Sequence, residues 1–276
     1  MHTKQTLSGI SVAIQNTMAS IQMGHSLIEP SKSREFTIKI ANSLQEREAV
    51  FRLAYQVYLD KKFIKPNAQE WMIQPYDADS NTIILIVQDK NKVIAGSVTL
   101  VFNGSIKLPA EKIYCSELNV LKSKGEKMVE LSRLVINPVF RNSKEVLVLL
   151  FNYLAIYAYH IQNYTSLVVE VNPRHKNYYK SLLNFDEIGA EKPCPSVQNA
   201  PAVLLYLPLA RYQLEVFRCA NHAIQGKKEK SLYPYFLKLE QETLVVYYLK
   251  KQIKPMSQEE KYYFGFSESN CGMAIV

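Results

Sequence analysis

The run Val146–Ile161 is apolar on almost every face, broken only by Asn152 and His160. It is shorter than the roughly 20 residues that cross a bilayer, so it reads as a core helix buried on several sides. Such a helix must be wrapped in other elements, and 276 residues can supply them. At about 150 residues per domain, the chain holds one large domain with an extension or two small ones. Hydrophobic residues make up 47% and charged residues 21%, values that argue against wholesale disorder or a fibrous repeat.

Around that helix the hydrophobic period is often two. Phe36, Ile38 and Ile40 alternate with polar residues, Ser43 with Glu46 forms a capping box, and Val50, Leu53, Ala54, Val57 and Tyr58 make the stripe of the helix that follows. Ile83–Val87 and Val93–Val101 flank the polar turn Asp89 to Lys92, a hairpin. After a longer polar loop, Met128–Ile136 resumes strand pattern until Asn137 and Pro138 stop it. A strand at Leu167–Val171, a helix from Pro173 through Tyr179 and a strand at Ala202–Leu207 complete the order β-α-β-β-β-α-β-α-β, an α+β fold. The reading divides the chain into a helical or disordered arm over 1–34, a core over 35–208 and a helical extension over 209–276. In the extension, helices near Leu209–Ile224 and Tyr233–Ile253 are separated by Gly226–Lys230.

Thirty-three Lys and Arg against twenty-five Asp and Glu leave a formal charge of +8, which suits an acidic partner. No helix-turn-helix, RNP or zinc pattern accompanies that charge, so nucleic acid is not expected. Cys115, Cys194, Cys219 and Cys271 are scattered without CxxC pairing or nearby histidines, which predicts reduced thiols and no metal. The first thirty residues lack the dense apolar region of a signal peptide, so a cytoplasmic protein without a transmembrane segment is expected; peripheral membrane contact stays open.

Several segments carry a resemblance. Phe51-Arg52-Leu53-Ala54-Tyr55-Gln56-Val57-Tyr58, Tyr76-Asp77, Glu130-Leu131-Ser132-Arg133, and Asn172-Pro173-Arg174-His175 followed by Tyr178-Tyr179 and Asn184-Phe185 stand in order along the core. Together they resemble the GCN5-related N-acetyltransferase superfamily, in its branch of long-chain N-acyl amino acid synthases and acyl-homoserine lactone synthases. The resemblance implies a mixed central sheet splayed between strands 4 and 5, with flanking helices. Ala54, Met72, Gln74 and Thr99 stand where the lactone synthases carry charges, which disfavours lactone synthesis. The superfamily's glycine-bearing pyrophosphate loop should fall at Arg141-Asn142-Ser143-Lys144-Glu145-Val146, where only the Arg is present. Glycines let backbone N–H groups close on phosphate, so an acyl carrier protein thioester is the better donor than acyl-CoA.

Amide synthesis from a thioester needs a neutral amine, a polarised carbonyl and a protonated leaving thiolate. Glu130 is the candidate general base, given burial that lifts its pKa; its structural alternative is a pair with Arg133 or a nearby backbone group that stabilises the strand. Strict alternation places Glu130 and Ser132 on one face and Arg133 on the other; a bulge, which the resemblance implies, would reset this and expose N–H groups for an oxyanion. Arg133, with Asp77 and Tyr76, orients the acceptor or ties the sheet to the first-helix loop. Arg141 and Lys144 are candidates for binding the donor or its acidic carrier, Arg174 and His175 for the pantetheine phosphate or the acceptor carboxylate, and Tyr178 or Tyr179 for protonating the thiolate. The side chains Val146, Leu149, Leu150, Tyr153, Leu154 and Tyr157 would wall an acyl tunnel or, more simply, fill the core. The chain thus reads as an N-acyltransferase moving a fatty acyl group from the 4'-phosphopantetheine thioester of acyl carrier protein to the amine of an amino acid or similar small amine, with no permanently bound cofactor. The alternatives are a short-chain acyl-CoA N-acyltransferase and a non-catalytic acyl- or partner-binding protein on the same fold.

Overall fold

The computed structural model describes residues 36–221 and 230–266; the arm at 1–34, most of the basic run at 226–230 and Cys271 lie outside the described residues. In chain order the strands are β1 (Thr37–Ile40), β2 (Ile83–Gln88), β3 (Ile94–Phe102), β4 (Met128–Ile136), β5 (Ser166–Val171), β6 (Asp186–Cys194) and β7 (Ala200–Pro208). The helices are α1 (Leu44–Asp60), α2 (Glu111–Ser123), α3 (Lys144–Ile156), α4 (Pro173–Leu183), α5 (Leu209–Asn221), α6 (Leu239–Lys250) and α7 (Gln258–Tyr263). The strands form one sheet in the order β1-β2-β3-β4-β5-β7-β6. Its neighbours run antiparallel except β4 and β5, which are parallel.

The β4–β5 pairing is short. Met128, Val129 and Glu130 face Ser166, Leu167 and Val168, and no further pair forms although β4 runs on to Ile136 and β5 to Val171. The sheet therefore opens at its centre, as expected.

Each face is sealed by different helices, because alternate strand residues are apolar on both sides. Val129, Leu131, Leu167, Val169, Leu205 and Leu207 pack beneath α3 to α6. On the opposite face α1 covers Ile84, Ile86, Ile94 and Val135, and α2 covers Val101, Met128, Val168 and Leu204. The all-round apolar helix α3 lies inside the first of these layers, and ten of its thirteen residues are buried.

Two core elements escape the sequence reading. The supposed polar loop contains α2, whose buried residues Tyr114, Leu118 and Leu121 do recur at helical spacing. The edge strand β6 buries only Gly189 and Cys194 and includes Pro193, so it shows no apolar alternation. These two elements hold each other: a Cβ on Gly189 would stand 2.7 Å from the Tyr114 ring, whose hydroxyl donates to the Ala190 and Ala202 carbonyls at 3.0 and 2.6 Å. The extension also carries a third helix, α7, beyond the two expected.

The polar residues that interrupt α3 and the turn after it serve the extension. Buried Asn152 donates to the Tyr212 hydroxyl at 2.7 Å and accepts from the Leu237 N–H at 3.0 Å, while His160 meets the buried Glu242 carboxylate at 2.8 Å. Replacing Asn152 by Leu leaves the part-buried Leu237 N–H without its partner and the Tyr212 hydroxyl with only the 3.4 Å contact to Glu242. We expect Asn152→Leu to lower the unfolding free energy by about 1–3 kcal/mol, read from urea denaturation.

Candidate active site

A cavity of about 1510 Å³ fills the opening between β4 and β5 and reaches both faces of the sheet. The last paired residue of β4, Glu130, stands at its apex, 3% exposed. One carboxylate oxygen accepts the Ala110 N–H at 2.8 Å, which ties the start of α2 to the strand. Burial pushes the Glu130 pKa up to about 8; the Ala110 N–H opposes the rise, and nearby Glu170 and Glu111 add to it.

The bulge implied by the resemblance lies just beyond. Thr99 pairs with Ser132 but Ser97 with Val135, so the single residue Val98 spans both Arg133 and Leu134. Arg133 takes a positive φ of 46°. Strict alternation fails here for that reason: the bulge turns Arg133 to the same face as Glu130 and Ser132, beneath α1, where its guanidinium lies 5.2 Å from the Phe51 ring and 5.3 Å from Tyr76.

Arg133 does not pair with Glu130. It grips both carboxylate oxygens of buried Asp77, and also donates to the Met72 carbonyl at 2.7 Å and Thr99 Oγ1 at 2.9 Å. Asp77 in turn accepts the Gln74 N–H at 2.7 Å, which fixes the turn Pro75–Ala78 over the bulge. That turn presents Tyr76, whose hydroxyl shares a 2.8 Å hydrogen bond with Ser132 Oγ at the cavity wall. Asp77, Arg133 and Thr99 therefore act as a sequestered clamp that positions Tyr76 and Ser132.

Basic residues gather on other elements of the wall. Arg141, Arg174 and His175 line the cavity, joined by Lys61 from the end of α1, which the sequence reading does not single out. Arg174 Nε lies 3.1 Å from His175 Nε2. The crowding shows in their protonation: burial lowers the pKa of both Lys61 and His175, and the neighbouring cations lower them further. Lys144 is absent from this wall. Its ammonium instead sits 3.6 Å over the Tyr235 ring, held by the extension.

Tyr178 is 43% exposed at the cavity margin, and Tyr179 is buried between Phe151 and Phe185. Burial raises the pKa of both hydroxyls. Of the helix side chains proposed for an acyl tunnel, none lines the cavity; they fill the core, and α3 contributes Leu147 instead. The wall also holds Glu170, which the sequence reading does not name, and Tyr58 and Cys194, which it names without a role in the site. Glu170 alone carried a signal, as a single acid in the apolar strand Ser166–Val171. Among the described residues no cluster of histidine, cysteine or acidic side chains could hold a metal ion.

Residues 49–208 match the family model of the N-acyl amino acid synthase FeeM, more than half of the chain. The chain belongs to that family. The fold agrees: the structure of FeeM, an N-acyl amino acid synthase from uncultured soil microbes, superposes with a TM-score of 0.57 at 23% identity, covering 65% of this chain and 93% of that one. The AHL synthase LasI superposes with a TM-score of 0.50 at 17% identity, covering 64% of this chain and 91% of that one. No curated protein sequence matches. The protein is thus an acyltransferase with the fold that FeeM and LasI share, and no described helix is long and apolar enough to cross a membrane.

The clamp generates a prediction. Removing Arg133 leaves Asp77 as an uncompensated buried charge, so Arg133→Met should cost about 3–5 kcal/mol of stability by denaturant titration. Adding Asp77→Asn should recover part of that loss.

Proposed function

We propose that this N-acyltransferase moves a fatty acyl group from the pantetheine thioester of acyl carrier protein to the amine of an amino acid or similar small amine, with Glu130 as general base. The observation that carries the reading is the placement of Glu130 at the apex of the opening between β4 and β5, inside a cavity wide enough for two substrates. A carboxylate poised near pH 8 is matched to an ammonium that must lose one proton before its nitrogen can attack.

The steps follow from the wall. Glu130 takes the proton from the incoming ammonium, directly or through water. The neutral nitrogen then attacks the thioester carbonyl carbon, whose oxygen faces backbone N–H groups at the Arg133 bulge. As the C–S bond breaks, the thiolate takes a proton from Tyr178 or Tyr179, the tyrosinate recovers one from the attacking nitrogen through water, and Glu130 returns its own proton to solvent. Ser132 and Tyr76 hold the acceptor's side of the opening.

Arg141, Arg174, His175 and Lys61 receive the donor's phosphate. The first turn of α3 favours one phosphate over a diphosphate. Ser143 already caps that turn by accepting the Val146 N–H, and Glu145 adds an acid to its first turn, so neither favours a second phosphate there. This supports acyl carrier protein over coenzyme A as the donor's carrier. Acyl carrier protein is acidic, and the chain's net charge of +8 would speed that encounter.

The test is turnover of the full chain with acyl carrier protein and coenzyme A thioesters of the same acyl group across an amine panel, read by mass spectrometry. We expect an N-acylated amine, formed faster from the carrier protein. Glu130→Gln should lower kcat/KM by about 100- to 10,000-fold. The wild-type kcat/KM should climb tenfold per pH unit below about 8 and level off above it, a limb absent from Glu130→Gln. Linkage gives the matching sign for stability: the unfolded carboxyl ionises near 4.5 and the folded one only near 8, so the fold loses stability as pH rises through that window. No acylated amine from any thioester, or wild-type turnover by Glu130→Gln, would overturn the proposal.

A further inference from the structure

Two carboxylates border the opening. Glu170 stands on β5 two residues beyond Val168, the partner of Glu130. Strand alternation therefore turns it to the same side of the sheet, about 7 Å further along the strand. It is half-buried and faces the cavity, where the Cys194 thiol hydrogen-bonds it. Burial raises its pKa, and its charge is felt by Glu130 across the gap. Glu111 and Asp79 add two more acids to the same wall.

Among the described residues Lys122 pairs with Glu111 at 2.7 Å, and no cation forms an ion pair with Glu130 or Glu170. Arg133 is committed to Asp77, Thr99 and the Met72 carbonyl. Lys107 and Lys112 are exposed at the rim; the charge of Lys112 reaches both Glu130 and Glu170, yet neither lysine forms an ion pair with them. The four basic residues assigned to the donor contribute no ion pair to either acid. An amino acid entering here would set its carboxylate against that of Glu170, while Arg133 is held by Asp77 and Arg141 and Arg174 are assigned to the donor's phosphate. An amine with a second positive charge would supply the counter-ion that Glu170 lacks, and in a partly dry cavity such a pair is worth more than in water.

The geometry points to an acceptor with two cationic centres, such as a short diamine or an amino-guanidine, its reacting nitrogen at Glu130 and its second charge at Glu170. Glu170 is then a specificity-determining residue, and Cys194 its positioning partner. The inference rests on the acyl-transfer reading of the same cavity and narrows its acceptor class.

Calorimetry on the full chain with diaminobutane, butylamine and gamma-aminobutyrate tests it, since the three share a four-carbon frame and differ in charge. The expected result is diaminobutane binding at least about tenfold tighter than butylamine, the factor of one partly buried charge pair, with gamma-aminobutyrate weakest. Glu170→Gln should bring diaminobutane down to the level of butylamine, and Glu170→Asp, which keeps the charge, should preserve the difference. Equal binding of the three, preference for gamma-aminobutyrate, or a preference that survives Glu170→Gln overturns the inference. The same amines offered in turnover separate it from the reading beneath: acyl transfer that favours gamma-aminobutyrate sinks the two-charge acceptor and leaves the acyltransferase proposal standing. Tight, Glu170-dependent diamine binding without acylation from any thioester supports the two-acid site and sinks the transfer proposal.

Discussion

Strands β4 and β5 share three residue pairs, and the chemistry of the molecule gathers where a fourth would form. Had the parallel ladder continued, side chains of adjacent strands would fill the space and Glu130 would be one more strand residue. Because it stops, a cavity of about 1510 Å³ penetrates a sheet that is otherwise sealed by helices on both faces. A thioester can then approach a buried carboxylate without unfolding anything around it.

Keeping such an opening requires each lip to be held from behind. On the β4 side the Arg133 bulge and its Asp77 clamp do this, and on the β5 side the full antiparallel ladder with β7 does. The clamp also removes a buried guanidinium from the acceptor's reach, which leaves that side acidic. The cations proposed for the donor come from separate elements: the end of α1, the loop before α3 and the start of α4. Opposite charges thus line different stretches of one cavity, a division suited to an anionic carrier arm and a cationic nucleophile.

Much of this was legible in the chain itself. The run Glu130-Leu131-Ser132-Arg133 marked the residues that meet at the opening, the resemblance it carries implied the bulge, and Asp77 was already named as a partner for Arg133. Residues whose role depends on distant strands were harder to see. Glu170 matters because β5 diverges from β4, and Lys61 because α1 ends beside α4; neither spacing along the chain reveals it. Lys144 erred in the other direction: its position at a helix start suggested donor binding, but the Tyr235 ring of the extension captures it. Helix α2 was hidden in a polar stretch, and β6 buries too little apolar surface to announce a strand, yet together they bring the Ala110 N–H to Glu130.

The account stands on the protonation of one side chain. Carbon-13 NMR of protein labelled at the glutamate carboxyls can follow it directly, with the resonance assigned by its loss in Glu130→Gln. The account predicts a midpoint at about pH 8 for that resonance. A midpoint near 4.5, the value of a carboxyl in water, would contradict it.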